Sequence, residues 1–152
     1  MTPSGARFVK CDGGRSLSTI YPTLKGRRIQ REGMRFTLVQ DCAVRAVSTA
    51  FGISYDHAYE ILEAEDDGSV LDYGEKIEGK AINGWKIELL NSWPRKMTRI
   101  EFPKLFPVGR FLCAEHGWRH VVAYIDGVRY DEGLRPEIWR MVEIWKLTCA
   151  RR

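Results

Sequence analysis

One cysteine of the chain stands at a position that favours a thiolate. Cys42 follows Asp41 in the segment DCAVRAVSTAFG, whose apolar residues recur at helical spacing, so it is predicted to be the first residue of a helix. Free backbone N–H groups at a helix N-terminus stabilise negative charge and lower the pKa of a thiol. Cys42 is therefore a candidate nucleophile, the alternative being a small buried hydrophobic residue.

A histidine and an aspartate are predicted to meet on two paired strands. His120 begins the apolar segment HVVAYI, and a two-residue Asp-Gly turn follows at 126–127. The register of that hairpin places Val122 opposite Asp131, so His120 and Asp131 become diagonal neighbours on one face. A base held by an acid beside a thiolate suits nucleophilic catalysis. In the alternative, His120 is a core residue bonded to a backbone carbonyl and Asp131 an ordinary strand end.

The elements that must position these residues follow in an α+β order. Asp41 is predicted to cap the first helix and Gly52 to end it, and a second helix runs from Ser54 to about Ala64. A short helix is predicted over 73–80. Strands are predicted at Trp85 to Leu89, within GRFLCAEHGWRHVVAYIDGVRYDEG and at MVEIWKLT. We therefore expect a helical hairpin packed on an antiparallel sheet of residues 85–147.

These segments also resemble a known superfamily. DCAVRAVSTAFGISYDHAYEIL, followed by GRFLCAEHGWRHVVAYIDGVRYDEG, is similar to small phage-encoded papain-like cysteine peptidases, related in layout to bacteriocin-processing double-glycine peptidases. The resemblance covers residues 38–133 and implies a papain-like fold, with Cys42 as nucleophile, His120 as base and Asp131 as orienting acid. The superfamily usually has a glutamine about six residues before the cysteine, where this chain has Phe36. Gln40 is the nearest candidate for the oxyanion donor.

Composition limits the other classes of site. The chain has 152 residues, 44% hydrophobic and 29% charged, which fits one globular domain. No apolar run is long enough for a membrane span or a signal peptide, so we expect a cytoplasmic protein without membrane contact. Four scattered cysteines argue against disulfides. Cys113, His116 and His120 have zinc-like spacing but do not converge on a strand, and His57 is expected at the surface, so no metal or cofactor is predicted.

The N-terminal 35 residues concentrate the basic charge. Eight basic against two acidic side chains give this segment +6, so the rest of the chain carries −2 of the total +4. We interpret residues 1–35 as a basic arm with at most one short strand, and residues 36–152 as the papain-like domain. Such an arm can contact nucleic acid without sequence specificity, or an acidic protein.

Two functions therefore remain open from the sequence. The first is a cysteine peptidase or isopeptidase that acts on a protein or peptide substrate in the host-cell cytoplasm. The second is a catalytically inactive papain-like scaffold, a virion structural or host-binding protein that contacts other phage structural proteins through the arm. The first depends on Cys42 and the second on residues 1–35.

Overall fold

The two predicted helices of the hairpin are present. In the computed structural model, which describes residues 7–20 and 40–150, helix α1 spans Cys42–Phe51 and ends at Gly52, whose φ of 69° is left-handed. Helix α2 spans Tyr55–Ile61 and begins at Ser54, whose hydroxyl accepts a hydrogen bond from an amide one turn later. It ends three residues earlier than predicted, since Glu63 adopts a left-handed φ of 52°.

The described residues form two further short helices. Helix α3 covers Tyr73–Ile77, within the predicted range of 73–80. Helix α4 covers Phe102–Leu105 and was not predicted from the sequence. At four residues it is too short to show a helical period, and Pro103 resembles a breaker in the sequence although it occupies a first-turn position that tolerates proline. None of the helices in the described ranges is long and apolar enough to cross a membrane.

The described strands form one six-stranded sheet in the order β1-β5-β4-β3-β6-β2. The strands are β1 Arg7–Lys10, β2 Trp85–Leu89, β3 Arg110–Glu115, β4 His120–Ile125, β5 Val128–Asp131 and β6 Met141–Cys149. Four neighbouring pairs are antiparallel, as predicted, but β1 pairs with β5 in parallel. The predicted antiparallel arrangement over 85–147 is thus confirmed, whereas β1, from the segment interpreted as an arm, adds a parallel edge strand that makes the whole sheet mixed.

The hairpin that carries the site has the predicted register. Ile125 pairs with Val128 and Ala123 with Tyr130. The turn between the strands places both Asp126 and Gly127 at positive φ, 49° and 77°, which is the combination that a tight hairpin turn requires. His120 and Asp131 consequently lie at the same end of the hairpin.

The sheet packs apolar side chains on both of its faces. Alternate residues of β3 and β4 contribute to two clusters, because successive side chains of a strand point to opposite faces. Leu112 and Ala123 pack with helices α1 and α2 in the first cluster. Phe111 and Tyr124 pack with Phe102 of α4 in the second cluster. The cluster with α1 fixes the helix that carries Cys42 against β4.

Part of the predicted basic arm is built into this sheet. Residues 7–10 form β1, and the N–H of Cys11 donates to the carbonyl of Asp131 at 2.7 Å. Gly13 packs against α1 so closely that a Cβ there would lie 2.7 Å from the Cα of Arg45. Residues 7–20 thus belong to the folded body. The rest of the predicted arm, 1–6 and 21–35, lies outside the described residues, as does the predicted boundary at 35/36.

Candidate active site

Cys42 is the first residue of α1 and lies half-buried at its N-terminus. The first turn of this ten-residue helix contains no acidic side chain. The free N–H groups of that turn therefore act on the sulfur without an opposing negative charge from the turn itself. This is the placement that the helical pattern predicted.

His120 links Cys42 to Asp131. It is the first residue of β4 and is buried, with 5% of its surface exposed. Its Nε2 lies 2.9 Å from Oδ2 of Asp131, which is the contact that the hairpin register predicted. The Cys42 thiol group lies close enough to His120 for each side chain to shift the pKa of the other. Since Nε2 is used by Asp131, Nδ1 is the ring nitrogen left for the sulfur.

The pKa shifts of Cys42 and His120 favour the charged form of each group. Burial alone raises the pKa of Cys42, but the hydrogen bond and charge of His120, the backbone N–H of Val121 and the charge of Arg45 outweigh it and lower that pKa below its ordinary value. Burial alone lowers the pKa of His120, but its bonds to Asp131 and Cys42 raise it. A thiolate beside an imidazolium is the state that these shifts favour.

Asp131 accepts hydrogen bonds from more groups than an acid that only orients a histidine would need. Burial acts to raise its pKa, but His120 and the neighbouring guanidinium groups keep that pKa well below its usual range. Besides His120, Oδ2 accepts from Nη2 of Arg129 at 3.0 Å and from Nε of Arg135 at 3.1 Å. Oδ1 accepts from the backbone N–H of Glu132 at 2.7 Å. The carboxylate is therefore ionised and fixed in orientation.

A second buried carboxylate lies behind Asp131. Glu115, on β3, has no exposed surface and forms a double hydrogen bond with Arg129, one arm of which measures 3.1 Å. The guanidinium of Arg129 also donates to the hydroxyl of Tyr124 at 2.9 Å. A planar guanidinium bonded on two sides has a fixed orientation, so the second N–H of Arg129 Nη2 is presented to Asp131 in one geometry.

Asp41 does not cap the helix that it precedes, and this corrects the sequence prediction. Its side chain forms no capping hydrogen bond. Instead the fully buried carboxylate accepts hydrogen bonds from Nε of Arg15 at 2.8 Å, from Nε of Arg45 at 3.0 Å and from the hydroxyl of Tyr55 at 2.7 Å. Three strong side-chain donors compete for the oxygens that a capping residue would offer to the backbone.

Arg45 ties the helix of Cys42 to the strand of Asp131. Besides its bond to Asp41, its Nη1 lies 3.5 Å from Oδ1 of Asp131. Arg15, from the N-terminal segment, forms ion pairs with both Asp41 and Glu132. We call the connected groups the ion-pair network, which consists of four carboxylates and four guanidinium groups: Asp41, Glu115, Asp131, Glu132, Arg15, Arg45, Arg129 and Arg135. Its formal charge sums to zero.

An aromatic side chain covers His120. The indole of Trp139 meets the His120 ring edge-on, with 5.6 Å between ring centroids, and stacks on the exposed ring of His116 at 4.2 Å. Arg135 lies over the same indole. The cover limits the access of water to the bond between His120 and Asp131.

The remaining candidates from the sequence lie as follows. Gln40 is exposed two residues before Cys42, and its backbone N–H donates to the carbonyl of Asp67 at 3.2 Å. Its role as an oxyanion donor stays a prediction, and Phe36 lies outside the described residues. Cys113 is buried in the cluster beneath the sheet, whereas His116 is exposed in a turn. Within the described residues no three acidic, histidine or cysteine side chains converge as metal ligands. His57 is exposed, as predicted.

Sequence reasoning missed the four arginines of the ion-pair network. Two of them could have been recognised from their positions in the sequence. Arg129 sits in the short strand VRYD, where its side chain shares a face with Asp131, and Arg45 lies four residues after Asp41 on α1. A charged side chain inside a strand or on the buried side of a helix requires a buried partner. Arg15 left no such signal because its partners are 26 and 117 residues away.

The site must be interpreted from its own geometry. The chain matches no family model, no curated protein and no solved structure at a significant level, so the family to which it belongs is not shown by similarity.

Proposed function

We propose that the protein is a papain-like cysteine peptidase or isopeptidase that acts by acyl transfer. His120 accepts the proton of the Cys42 thiol, and the thiolate attacks the carbonyl carbon of an amide bond. The C–N bond then breaks, the imidazolium of His120 protonates the departing amine, and a thioester remains on Cys42. Water adds to the thioester as His120 takes its proton, and the carboxylic acid leaves as the thiol reforms.

One observation carries this proposal. Three chemically matched groups lie in sequence: a half-buried cysteine at a helix N-terminus, a histidine close enough to shift its pKa and an aspartate 2.9 Å from Nε2 of that histidine. The pKa of the thiol is lowered and that of the imidazole raised, each through the other. A structural cysteine in a hydrophobic core shows the opposite shift, as Cys113 does, whose pKa burial raises.

Negative charge that develops on the carbonyl oxygen needs donors near Cys42. The backbone N–H of Cys42 belongs to the free first turn of α1 and suits this role. We assign the side-chain amide of Gln40 as the second donor, because it lies exposed two residues before the nucleophile. Removal of one oxyanion donor lowers kcat by about 10²–10³ in enzymes that depend on it.

Alkylation tests the thiolate without knowledge of the substrate. Iodoacetamide at about pH 7 should modify Cys42 faster than the exposed Cys149, although Cys149 is the more accessible sulfur. Peptide mapping by mass spectrometry gives both rates in one sample. Equal rates, or a faster reaction of Cys149, would show that Cys42 is not activated.

Hydrolysis of a mixed library of internally quenched peptides tests the activity. Cys42→Ala should abolish cleavage, and the matched variant Cys149→Ala should retain it. If the wild-type protein cleaves nothing while Cys42 is alkylated no faster than Cys149, the catalytic proposal is wrong. The second candidate, a papain-like scaffold without activity, would then explain the fold.

A further inference from the structure

An open cleft lies beside the strand that carries His120. It has a volume of about 290 Å³ and lies between the residues around α3, the turn before β4 and β6. Val121, the residue after His120, lines it, and the backbone N–H of Val121 lowers the pKa of Cys42. A polypeptide bound at Cys42 would therefore have this cleft within reach of a neighbouring side chain.

The wall of the cleft combines apolar and acidic groups. Leu71 and Trp118 line it with 80% and 58% of their surfaces exposed, which is unusual for side chains of this size. Asp72, Glu75 and Glu143 supply three carboxylates, and no basic residue is among the nine that line it, all within the described part of the chain. The cleft thus offers apolar surface and a negative potential.

The carboxylate of Glu143 is positioned, and no basic residue of the described part of the chain lines the cleft beside it. Nε1 of Trp145 donates to its Oε1 at 2.8 Å, which fixes the group by a neutral partner. Burial raises the pKa of Glu143, and the negative charges of Glu75 and Asp72 raise it further. A cation in the cleft would offset both the cost of burying the charged carboxylate and its repulsion by the neighbouring negative charges.

Tyr73 adds an unused hydrogen-bonding group to the same wall. Only 5% of its surface is exposed, and its hydroxyl has no hydrogen-bond partner among residues 7–20 and 40–150. Burial raises the pKa of Tyr73, and the charges of Cys113, Glu143, Cys42 and Glu75 add to this. A buried hydroxyl without a partner costs free energy that a donor on a ligand would recover.

We propose that this cleft binds a positively charged substrate side chain, lysine or arginine, next to an apolar residue of the same peptide. Glu143 and Glu75 would pair with the ammonium or guanidinium group, and Leu71 and Trp118 would contact the apolar neighbour. The inference rests on the proposed peptidase function and names the substrate class of that site.

Binding to a variant that cannot cleave tests the cleft separately from catalysis. Three labelled peptides, Ala-Phe-Lys-Ala-Gly and its Gln and Glu counterparts at the third position, are titrated into full-length Cys42→Ala and followed by fluorescence anisotropy. The Lys peptide should bind about tenfold more tightly than the Gln peptide, and the Glu peptide more weakly than both, because charge complementarity sets the difference.

Charge variants identify the residues responsible. In the Cys42→Ala background, Glu143→Gln and Glu75→Gln should each lower the ratio of Lys to Gln affinity about threefold. Glu88→Gln, which removes the same charge from an exposed position on strand β2, should leave the ratio unchanged. Equal affinity for the Lys and Gln peptides, or a ratio that neither cleft variant alters, would overturn the inference.

Hydrolysis separates the two proposals. Cleavage of the peptide library by the wild-type chain without any preference for Lys or Arg contradicts the inference and leaves the peptidase function standing. Charge-selective binding without cleavage supports the cleft and contradicts the peptidase function.

Discussion

Replacement of Asp41 by asparagine distinguishes two roles for the residue before Cys42. Asparagine caps helices about as well as aspartate, so a capping role predicts almost no change in stability. The structure instead places the carboxylate, with no exposed surface, against Arg15, Arg45 and Tyr55. Asp41→Asn keeps the shape of the side chain and removes the charge that balances two buried guanidinium groups.

The expected loss follows from those contacts. Removal of one partner from a buried ion pair costs about 3–5 kcal/mol, because the other charge stays buried without compensation. Glu132 also contacts both Arg15 and Arg45, and Asp131 contacts Arg45, so Arg15 keeps one carboxylate and Arg45 keeps two in the variant. We therefore expect Asp41→Asn to lower the free energy of unfolding by about 3 kcal/mol, the lower end of that range.

Urea unfolding of the full chain, followed by tryptophan fluorescence, measures this quantity. Asp72→Asn is the matched control, because Asp72 precedes α3 in the same way but is exposed, and its change should stay within about 0.5 kcal/mol. If Asp41→Asn does not fold, Tyr55→Phe tests the same carboxylate with a loss of about 1.5–3 kcal/mol. A loss below about 1 kcal/mol in Asp41→Asn would contradict the place of Asp41 in the ion-pair network and would favour the capping role.

Three further predictions concern the site and its support. The rate of Cys42 alkylation against pH should show its inflection below about 8.5, the ordinary thiol pKa, since the pKa of Cys42 is lowered; an inflection at or above that value contradicts the shift. Gly74→Ala should cost about 1–3 kcal/mol in urea unfolding, because its Cβ would lie 2.3 Å from the ring of Trp145, while Gly133→Ala, with open space around it, should cost less than about 0.5 kcal/mol. Glu115→Gln should cost about 3 kcal/mol or more by leaving its buried arginine partner with less countercharge, and a loss below about 1 kcal/mol would contradict that.

The parts of the molecule that the sequence predicted are those determined by local rules. The helix over Cys42–Phe51 is readable because its apolar positions share one face and Gly52 can adopt the left-handed conformation. The contact between His120 and Asp131 is readable because an Asp-Gly turn sets the register of a whole hairpin. In both cases the residues that determine the geometry lie within about one element of the site.

The parts that could not be predicted depend on distant partners. Strand β1 has four residues without alternation, and its parallel pairing with β5 joins Arg7 to Val128 across the length of the chain. The role of Asp41 changed for the same reason, since its strongest partner, Arg15, comes from the segment interpreted as an arm. Local pattern shows that a charge is present but does not identify its partner.

The ion-pair network explains why distant charges matter for the site. Buried ion pairs pay a large desolvation cost, so they are weak evidence for stability by themselves. Their directionality has a structural effect: Arg45 contacts both Asp41, which precedes Cys42, and Asp131, which bonds to His120, so it fixes α1 relative to β5.

The balance of charge in the ion-pair network also limits how strongly Asp131 stabilises the imidazolium of His120. The negative charge of Asp131 is shared among three guanidinium groups and His120, which weakens its pull on the imidazolium compared with a carboxylate bonded to histidine alone. Even so, Asp131 is the largest cause that raises the pKa of His120, and Cys42 adds to it. Asp131 therefore both holds the imidazole ring in place and supports its positive charge, and the contact between Cys42 and His120 strengthens that charge further.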